Sequence, residues 1–320
     1  MVTAWWRTGN AVLILALLAG CGATPAAIVP APGVSRAASC GTVRIAVNPW
    51  SGYAADVAVV AYLLRQELGC TVVTRDLTED ASWQGLARGD LDVILENWGH
   101  DDLKKRYIDD QRVAVELGLT GNRGVIGWYV PPWLAAAHPD ITDWRNLNRY
   151  AELFRTPASG RRGQFLAGDP SFVTNDAALI RNLKLDYTVV YAGSEDALIA
   201  TFRRAELEKK PLIGYFYAPQ WLLSEIGLVH VPLPRYTPGC DSDPKKVACD
   251  YQPYDLDKIA RKAFAESGSP AAEVIKRFSW TNEDQNAVAR DLTVGKQTPD
   301  QAARRWLDAN RPVWQEWLPR

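Results

Sequence analysis

The sequence predicts an α/β fold of two lobes with a ligand cleft between them. Three observations carry this. Short β-branched runs alternate with helix-period segments from position 42 onward, the pattern of a largely parallel sheet. A second group of strands and helices follows near position 136, and the chain then returns in a helical tail, so it passes out and back. Tryptophan stands at the ends of predicted strands: Trp50 closes VRIAVNPW, Trp98 closes LDVILENW, and Trp221 follows PLIGYFYAPQ. With 13 Trp against 7 Phe and 1 Met, Trp is more than core filler. Ligands of open α/β sheets bind beyond the carboxyl ends of the strands. Aromatic faces gathered there suit a cation, above all a quaternary ammonium, which has no N–H to donate.

The elements follow in order. A strand over 42–47 leads into helical spacing over 54–68, which Gly69 ends. The next strand, 71–74, completes a βαβ unit with a sheet-end loop at 48–53. A short helix over 83–88, Gly89-Asp90 and a strand over 91–95 come next. A strand over 123–130 is broken by Pro131-Pro132. In the second group the spacing predicts helices over 143–154, 175–183 and 194–209, and strands over 164–167, 187–191 and 211–217. A short strand over 229–232 precedes a tail read as four helices, 255–266, 271–278, 281–294 and 299–317. The predicted lobes are 40–135 with 226–320, and 136–225.

Residues 1–21 read as a secretory signal. Arg7 gives a positive start, and 11–19 (AVLILALLA) is an apolar run of signal length, too short to span a membrane comfortably. Leu18-Ala19-Gly20-Cys21 resembles the lipobox of bacterial lipoproteins, which makes Cys21 the lipidated residue. Residues 22–39, rich in Ala and Pro, read as a flexible tether. The body is therefore expected outside the cytoplasm, lipid-anchored to the cell membrane, facing a periplasm or the open exterior.

Apart from Cys21, the cysteines are Cys40, Cys70, Cys240 and Cys249, an even number in an oxidising compartment, with three possible pairings. Cys240 and Cys249 bracket a short polar loop. Cys40 and Cys70 both stand at the starts of predicted strands, within bridging range if those strands are parallel neighbours. No Cys-x-x-Cys spacing occurs and only three His are present, so no metal is expected, and no cofactor is implied. A net charge of −1 without a basic stripe argues against nucleic acid as a partner.

Several stretches resemble, in order, the substrate-binding proteins of ABC importers for glycine betaine, choline and related quaternary amines. They are Val47-Asn48-Pro49-Trp50 with the helix closing in Glu67-Leu68-Gly69-Cys70; Leu86-Ala87-Arg88-Gly89-Asp90-Leu91-Asp92-Val93 running into Glu96-Asn97-Trp98; Gly127-Trp128-Tyr129-Val130-Pro131; Tyr217-Ala218-Pro219-Gln220-Trp221; and the closing helix AARRWLDANRPVWQEW. Each stretch alone is weak, and the ordered set is specific. The resemblance implies a type II periplasmic-binding-protein-like fold, a monomer that binds a small quaternary amine, and an ABC permease in the cytoplasmic membrane as partner.

The resemblance also implies site residues. Trp98 matches one wall of an aromatic cage, and Tyr217 stands where the family carries a cage Trp. Trp50 matches a further wall in choline-binding members, and Phe172 falls near a third cage aromatic in part of the family. Val173 and Thr174, at a helix start with free N–H groups, are candidates to hold a betaine carboxylate. Trp221 is expected behind the Tyr217 wall, and Trp128, Trp133, Trp144 and Trp280 in packing. Trp306, Trp314 and Trp317 read as a docking face. Choline-binding members carry an acidic residue where Gly52 stands here, which favours a betaine. Gln220 replaces a His of the family, and Gly124 or a neighbour replaces a Tyr of the choline group.

No catalytic residue is expected. Two alternatives compete: a binding protein for another small solute such as a sugar or amino acid, and a secreted glycosidase. The second would need two facing carboxylates, for which Asp101, Asp102 and Glu96 are the nearest candidates.

Overall fold

The computed structural model describes residues 40–172 and 174–319. The predicted signal segment, the lipidation site Cys21, the tether over 22–39 and Val173 lie outside the described residues. β1 (Thr42–Val47), α1 (Ser51–Leu68) and β2 (Thr71–Asp76) form the predicted βαβ unit. The two strands run parallel, Thr42 opposite Thr71 and Val47 opposite Asp76. That register brings Cys40 and Cys70 together just before the strands, and they are disulfide-bonded with Cα atoms 4.9 Å apart. Closing a loop of 30 residues restricts the unfolded chain by ~3.5 kcal/mol in the chain-entropy model. Gly69 ends α1 at φ 65°, a left-handed conformation that a Cβ would penalise. α1 begins at Ser51 rather than 54, so the expected sheet-end loop shrinks to residues 48–50.

α2 (Glu79–Arg88) is capped by the Thr78 side chain and stopped by Gly89. β3 (Val93–Asn97) is buried along its whole length. β4 (Ala114–Val130) is more than twice as long as expected. β5 (Gly163–Ala167), β6 (Tyr187–Tyr191) and β7 (Gly214–Ala218) fall where strands are predicted, as do the helices Asp176–Asn182 and Glu195–Leu207. The helix expected over 143–154 is instead a broken coil of short turns, α-helical only over Leu147–Tyr150. β8 (Val229–Val231) pairs with the end of β4.

The segment 255–266 is the main correction. It is not a helix but β9 (Tyr254–Arg261), followed by one turn over Lys262–Ala265. β9 runs antiparallel to β3 on one side and to β4 on the other. Leu256 to Ala260 are all buried, so the strand shows no polar alternation. The two charged residues of this buried stretch are satisfied inside. Asp257 receives Lys104 Nζ and Asn97 Nδ2 at 2.7 and 2.8 Å. Lys258 Nζ donates to the carbonyls of Lys276 and Phe278.

The nine strands are ordered β2-β1-β3-β9-β4-β7-β5-β6, with β8 on β4. β1–β2, β1–β3, β5–β6 and β5–β7 are parallel, whereas β3–β9, β4–β9, β4–β7 and β4–β8 are antiparallel. The expected largely parallel sheet is therefore mixed, because β9 and β4 run through its middle. β4 serves both halves: residues 114–124 pair with β9, and residues 125–130 pair with β7 and β8.

The helices Asn282–Thr293 and Pro299–Ala309 pack on α1, each started by a reciprocal capping box. The expected helix over 299–317 breaks at Asn310, and a short helix Arg311–Gln315 follows. Pro312 has no N–H to continue the ladder. Trp306, Trp314 and Trp317 are buried there, with Trp306 stacked on Trp317 at 5.8 Å. Among the described residues, no helix is long and apolar enough to cross a membrane.

Candidate functional site

The turns after β1, β3 and β5 and the last residues of β7 line one cavity of about 720 Å³. This is the carboxyl-end position expected for ligands of such a sheet. Trp50, Trp98, Phe172 and Tyr217 all line it. The rings meet edge to face: Trp98 with Tyr217 at 5.6 Å and 89°, and Trp50 with Phe172 at 5.9 Å and 84°. Each pair takes one ring from either half of the sheet. Tyr254 adds a ring 5.9 Å from Trp98, and Tyr215 adds one 5.9 Å from Tyr217. Trp98 seats closely because Gly124 lacks a side chain; a Cβ there would stand 2.6 Å from the indole Cζ3.

The polar ends of Trp50, Trp98 and Tyr217 point into buried carboxylates. Glu96, on β3, accepts the indole N–H of Trp50 at 2.8 Å and of Trp98 at 2.7 Å on one oxygen. Its other oxygen accepts Gln285 Nε2 at 2.5 Å, and the Asp56 carboxyl bonds it as well. Burial raises both carboxyls above the usual range. For Asp56 the charge and bond of Glu96 push in the same direction, so Asp56 lies well above. For Glu96 the bonds from Asp56, Trp50, Trp98 and Gln285 favour the charged form. Of the two, Asp56 is raised the further.

Tyr217 donates its hydroxyl to Glu195, which begins the helix Glu195–Leu207. Glu195 also accepts Ser51 N at 2.7 Å, and Ser51 Oγ and Gln220 Nε2 each at 3.1 Å. Burial raises the Glu195 carboxyl, against these donors. Burial and the Glu195 charge together hold the Tyr217 phenol well above its ordinary value. A third carboxylate, Asp176, accepts the Tyr251 hydroxyl and the Trp128 indole, both at 2.8 Å.

The helix start after Phe172 is placed differently from the expectation. Asn175 lines the cavity, and its backbone N–H donates to the Tyr251 hydroxyl at 2.8 Å. Thr174 is not among the lining residues; its side chain bonds Asp176. Trp221 is buried and outside the cavity, with the Arg203 guanidinium over its ring at 5.1 Å.

Sequence reasoning missed Tyr215, Tyr236, Tyr251, Tyr254, Glu79 and His100 as lining residues. Tyr215 was within reach, since it lies two residues from Tyr217 and shares its strand face. Tyr254 was hidden by the helical reading of β9. Tyr236 and Tyr251 flank the loop closed by the Cys240–Cys249 disulfide, with Cα atoms 6.3 Å apart. His100 follows Gly99, at φ 54° and 91° respectively, a turn that sets its Nε2 2.8 Å from Glu79 Oε1. Among the described residues, no group of three or more His, Cys, Asp or Glu is placed to hold a metal ion.

A mixed sheet with an aromatic cavity at its strand ends, built from both halves, defines a solute-binding protein of the type II periplasmic-binding fold. Residues 41–309 match the family model described as the substrate binding domain of ABC-type glycine betaine transport systems. The chain belongs to this family of extracytoplasmic binding proteins, which are not enzymes. It is 27% identical over 301 residues to the trimethylamine N-oxide-binding protein of Pelagibacter ubique, covering 90% of this chain and 94% of that one. Two solved structures share the fold. Lactococcal OpuAC, closed on glycine betaine, superposes with a TM-score of 0.68 at 20% identity, over 87% of this chain and all of that one. An ABC-transporter choline-binding protein with choline gives 0.69 at 18% identity, over 87% and 92%.

Proposed function

We propose that this protein captures a small osmolyte with a trimethylated, positively charged nitrogen, a betaine ahead of choline, and delivers it to an ABC permease in the cytoplasmic membrane. One observation carries the reading. Trp50, Trp98 and Tyr217 surround the cavity while their N–H and O–H groups are spent on buried carboxylates. What remains to face a ligand is ring surface, which suits a cation without N–H donors. The relative named for trimethylamine N-oxide widens the list to that compound, whose nitrogen also carries no hydrogen.

Gly52 supports the ranking of betaine over choline. A Cβ there would come within 3.2 Å of the Gln285 amide, which serves Glu96, so an acidic side chain would disturb the back of the cage. For the anionic end we keep Val173 and Thr174 as the candidates, Thr174 being the immediate chain neighbour of the cavity-lining Asn175. Three ring faces give ~6 kcal/mol at ~2 kcal/mol each, whereas micromolar binding needs ~8 kcal/mol net, so burial of the methyl groups and such an end contact must add to them.

We further propose that the halves move as two lobes. The strands β1–β3 and β9 with the C-terminal helices form one, and β5–β7 with their helices the other. The segment 228–250 rides with the second, supported by the pairing of β8 with the end of β4 and by Asn182 Nδ2 on the Val247 carbonyl at 2.7 Å. Cys21 carries the lipid anchor, and the protein acts as a monomer.

A thermal-shift screen tests the proposal. Glycine betaine, trimethylamine N-oxide, carnitine, choline and glucose are each added at saturating concentration. A betaine or the N-oxide is expected to raise Tm, since ligand at 100 times Kd stabilises by ~2.7 kcal/mol. A rise with glucose and with no trimethylated compound would overturn the reading.

A further inference from the structure

We infer that Glu96 is a positioning and selectivity residue of the site: from behind Trp50 and Trp98 it fixes both rings and supplies the charge that makes the cage prefer a cationic head over an uncharged head of the same shape. The inference rests on the cage proposed above and adds to it a residue that does not line the cavity.

The geometry is specific. A single carboxylate oxygen takes both indole N–H groups, at 2.8 and 2.7 Å, so the two rings are tied to one point. The group is 1% exposed. Its N–H donors are Trp50, Trp98 and Gln285, an acceptor role that fits an ionised carboxylate. With three N–H donors on Glu96, the geometry assigns the negative charge of the bonded pair to Glu96 and its proton to Asp56.

That charge lacks a cation. Among the described residues, no Lys, Arg or His side chain forms an ion pair with Glu96 or Asp56; the buried Lys258 lies within electrostatic reach of Asp56 but donates to the carbonyls of Lys276 and Phe278. A buried charge without a counter-charge is unfavourable. A cation seated against the faces of Trp50 and Trp98 supplies one through the rings. A carboxylate accepting from an indole N–H also enriches the ring in negative charge, which strengthens attraction over the face. An uncharged ligand of equal shape gains the apolar contact alone.

The test compares two ligands on three proteins by calorimetry. The ligands are glycine betaine and 3,3-dimethylbutanoate, which replaces the quaternary nitrogen by carbon. The wild-type protein is expected to prefer glycine betaine by about 100-fold. In Glu96→Gln, whose amide oxygen still accepts indole N–H, the preference is expected to narrow about tenfold, through loss for glycine betaine alone. Asp56→Asn leaves the Glu96 charge and a donor to it, and the wild-type preference is expected to persist. Equal loss of both ligands in Glu96→Gln, or an unchanged preference, would overturn the inference while leaving the cage intact. If Glu96→Gln does not fold, Asp56→Asn decides: loss of preference there, with Glu96 present, overturns it. Failure of wild type to bind glycine betaine or any trimethylated ligand strikes instead at the proposed function.

Discussion

Glu96 and Glu195 hold the aromatic walls from behind, yet they draw their partners from different parts of the chain. Trp50, Trp98, Asp56 and Gln285 all belong to the first sheet half or to helices packed on it. Glu195 takes Tyr217 and Gln220 from its own half, but it also takes the backbone N–H and hydroxyl of Ser51, in the first turn of α1. α1 has no side-chain cap of its own at Trp50. Its leading N–H is satisfied by a carboxylate 144 residues away in sequence, placed where the helix dipole favours a negative charge. The Glu96 set can assemble within one half. The Glu195 set requires both halves in contact. The difference separates two tasks: presenting ring faces, and holding the halves together around the cavity those faces line.

The largest effect should come from the first set. Trp98→Ala removes a wall that contacts rings from both halves, and affinity for glycine betaine is expected to fall more than about 100-fold, the loss of a desolvated cation–π contact and its apolar area. The fold should survive, since Trp98 is only half-buried; circular dichroism and Tm check this. A loss of fold would make Trp98 a core residue and break the comparison at its root.

A smaller effect is expected from the second set. Glu195→Ala leaves Ser51 N–H without its acceptor and Gln220 Nε2 with only the Ser51 hydroxyl at 3.4 Å, at a cost of ~1–3 kcal/mol. Ligand affinity should fall about tenfold, and stopped-flow measurements should place most of the change in the dissociation rate. If the two rates change equally, the contact does not hold the halves together around the ligand. Tyr217→Phe removes only one of the donors and keeps the ring, so its effect should be smaller still.

The same contrast explains what the sequence revealed. β1, α1 and β2 were legible because their signals are local: β-branched runs, helical spacing and a left-handed Gly69. Trp50, Trp98, Tyr217 and Phe172 were legible by position at strand ends and by resemblance, and all four line the cavity. Glu96 was read only as a stray carboxylate, because nothing local shows that Trp50, Asp56 and Gln285 converge on it from as far as 189 residues away. β9 was misread because Asp257 and Lys258 look like an exposed helical face. Their partners, Lys104, Asn97 and the carbonyls at 276 and 278, lie elsewhere in the chain. Tertiary satisfaction of buried charge overrode the local pattern.

The smallest effect concerns His100 at the cavity edge, where a pair made within the first half can be followed apart from the Glu195 contact. Burial disfavours the charged imidazole, but the bond and charge of Glu79, with Asp102 and Asp80, outweigh it and raise the His100 pKa above 6.5. By linkage, a raised histidine contributes stability that is complete below the unfolded value and is lost as pH rises through the folded one. His230 moves the other way, because burial lowers it with only Asp250 opposing. In an NMR titration of a protein with three histidines, one resonance should therefore titrate above 6.5 and one below. Glu79→Gln is expected to bring the His100 midpoint down and to flatten the corresponding fall in Tm with pH. Glu195→Ala should leave that midpoint in place, since none of the groups that raise it belongs to the second half. A His100 midpoint that moved with Glu195→Ala would mean that the first half is not built independently of the second.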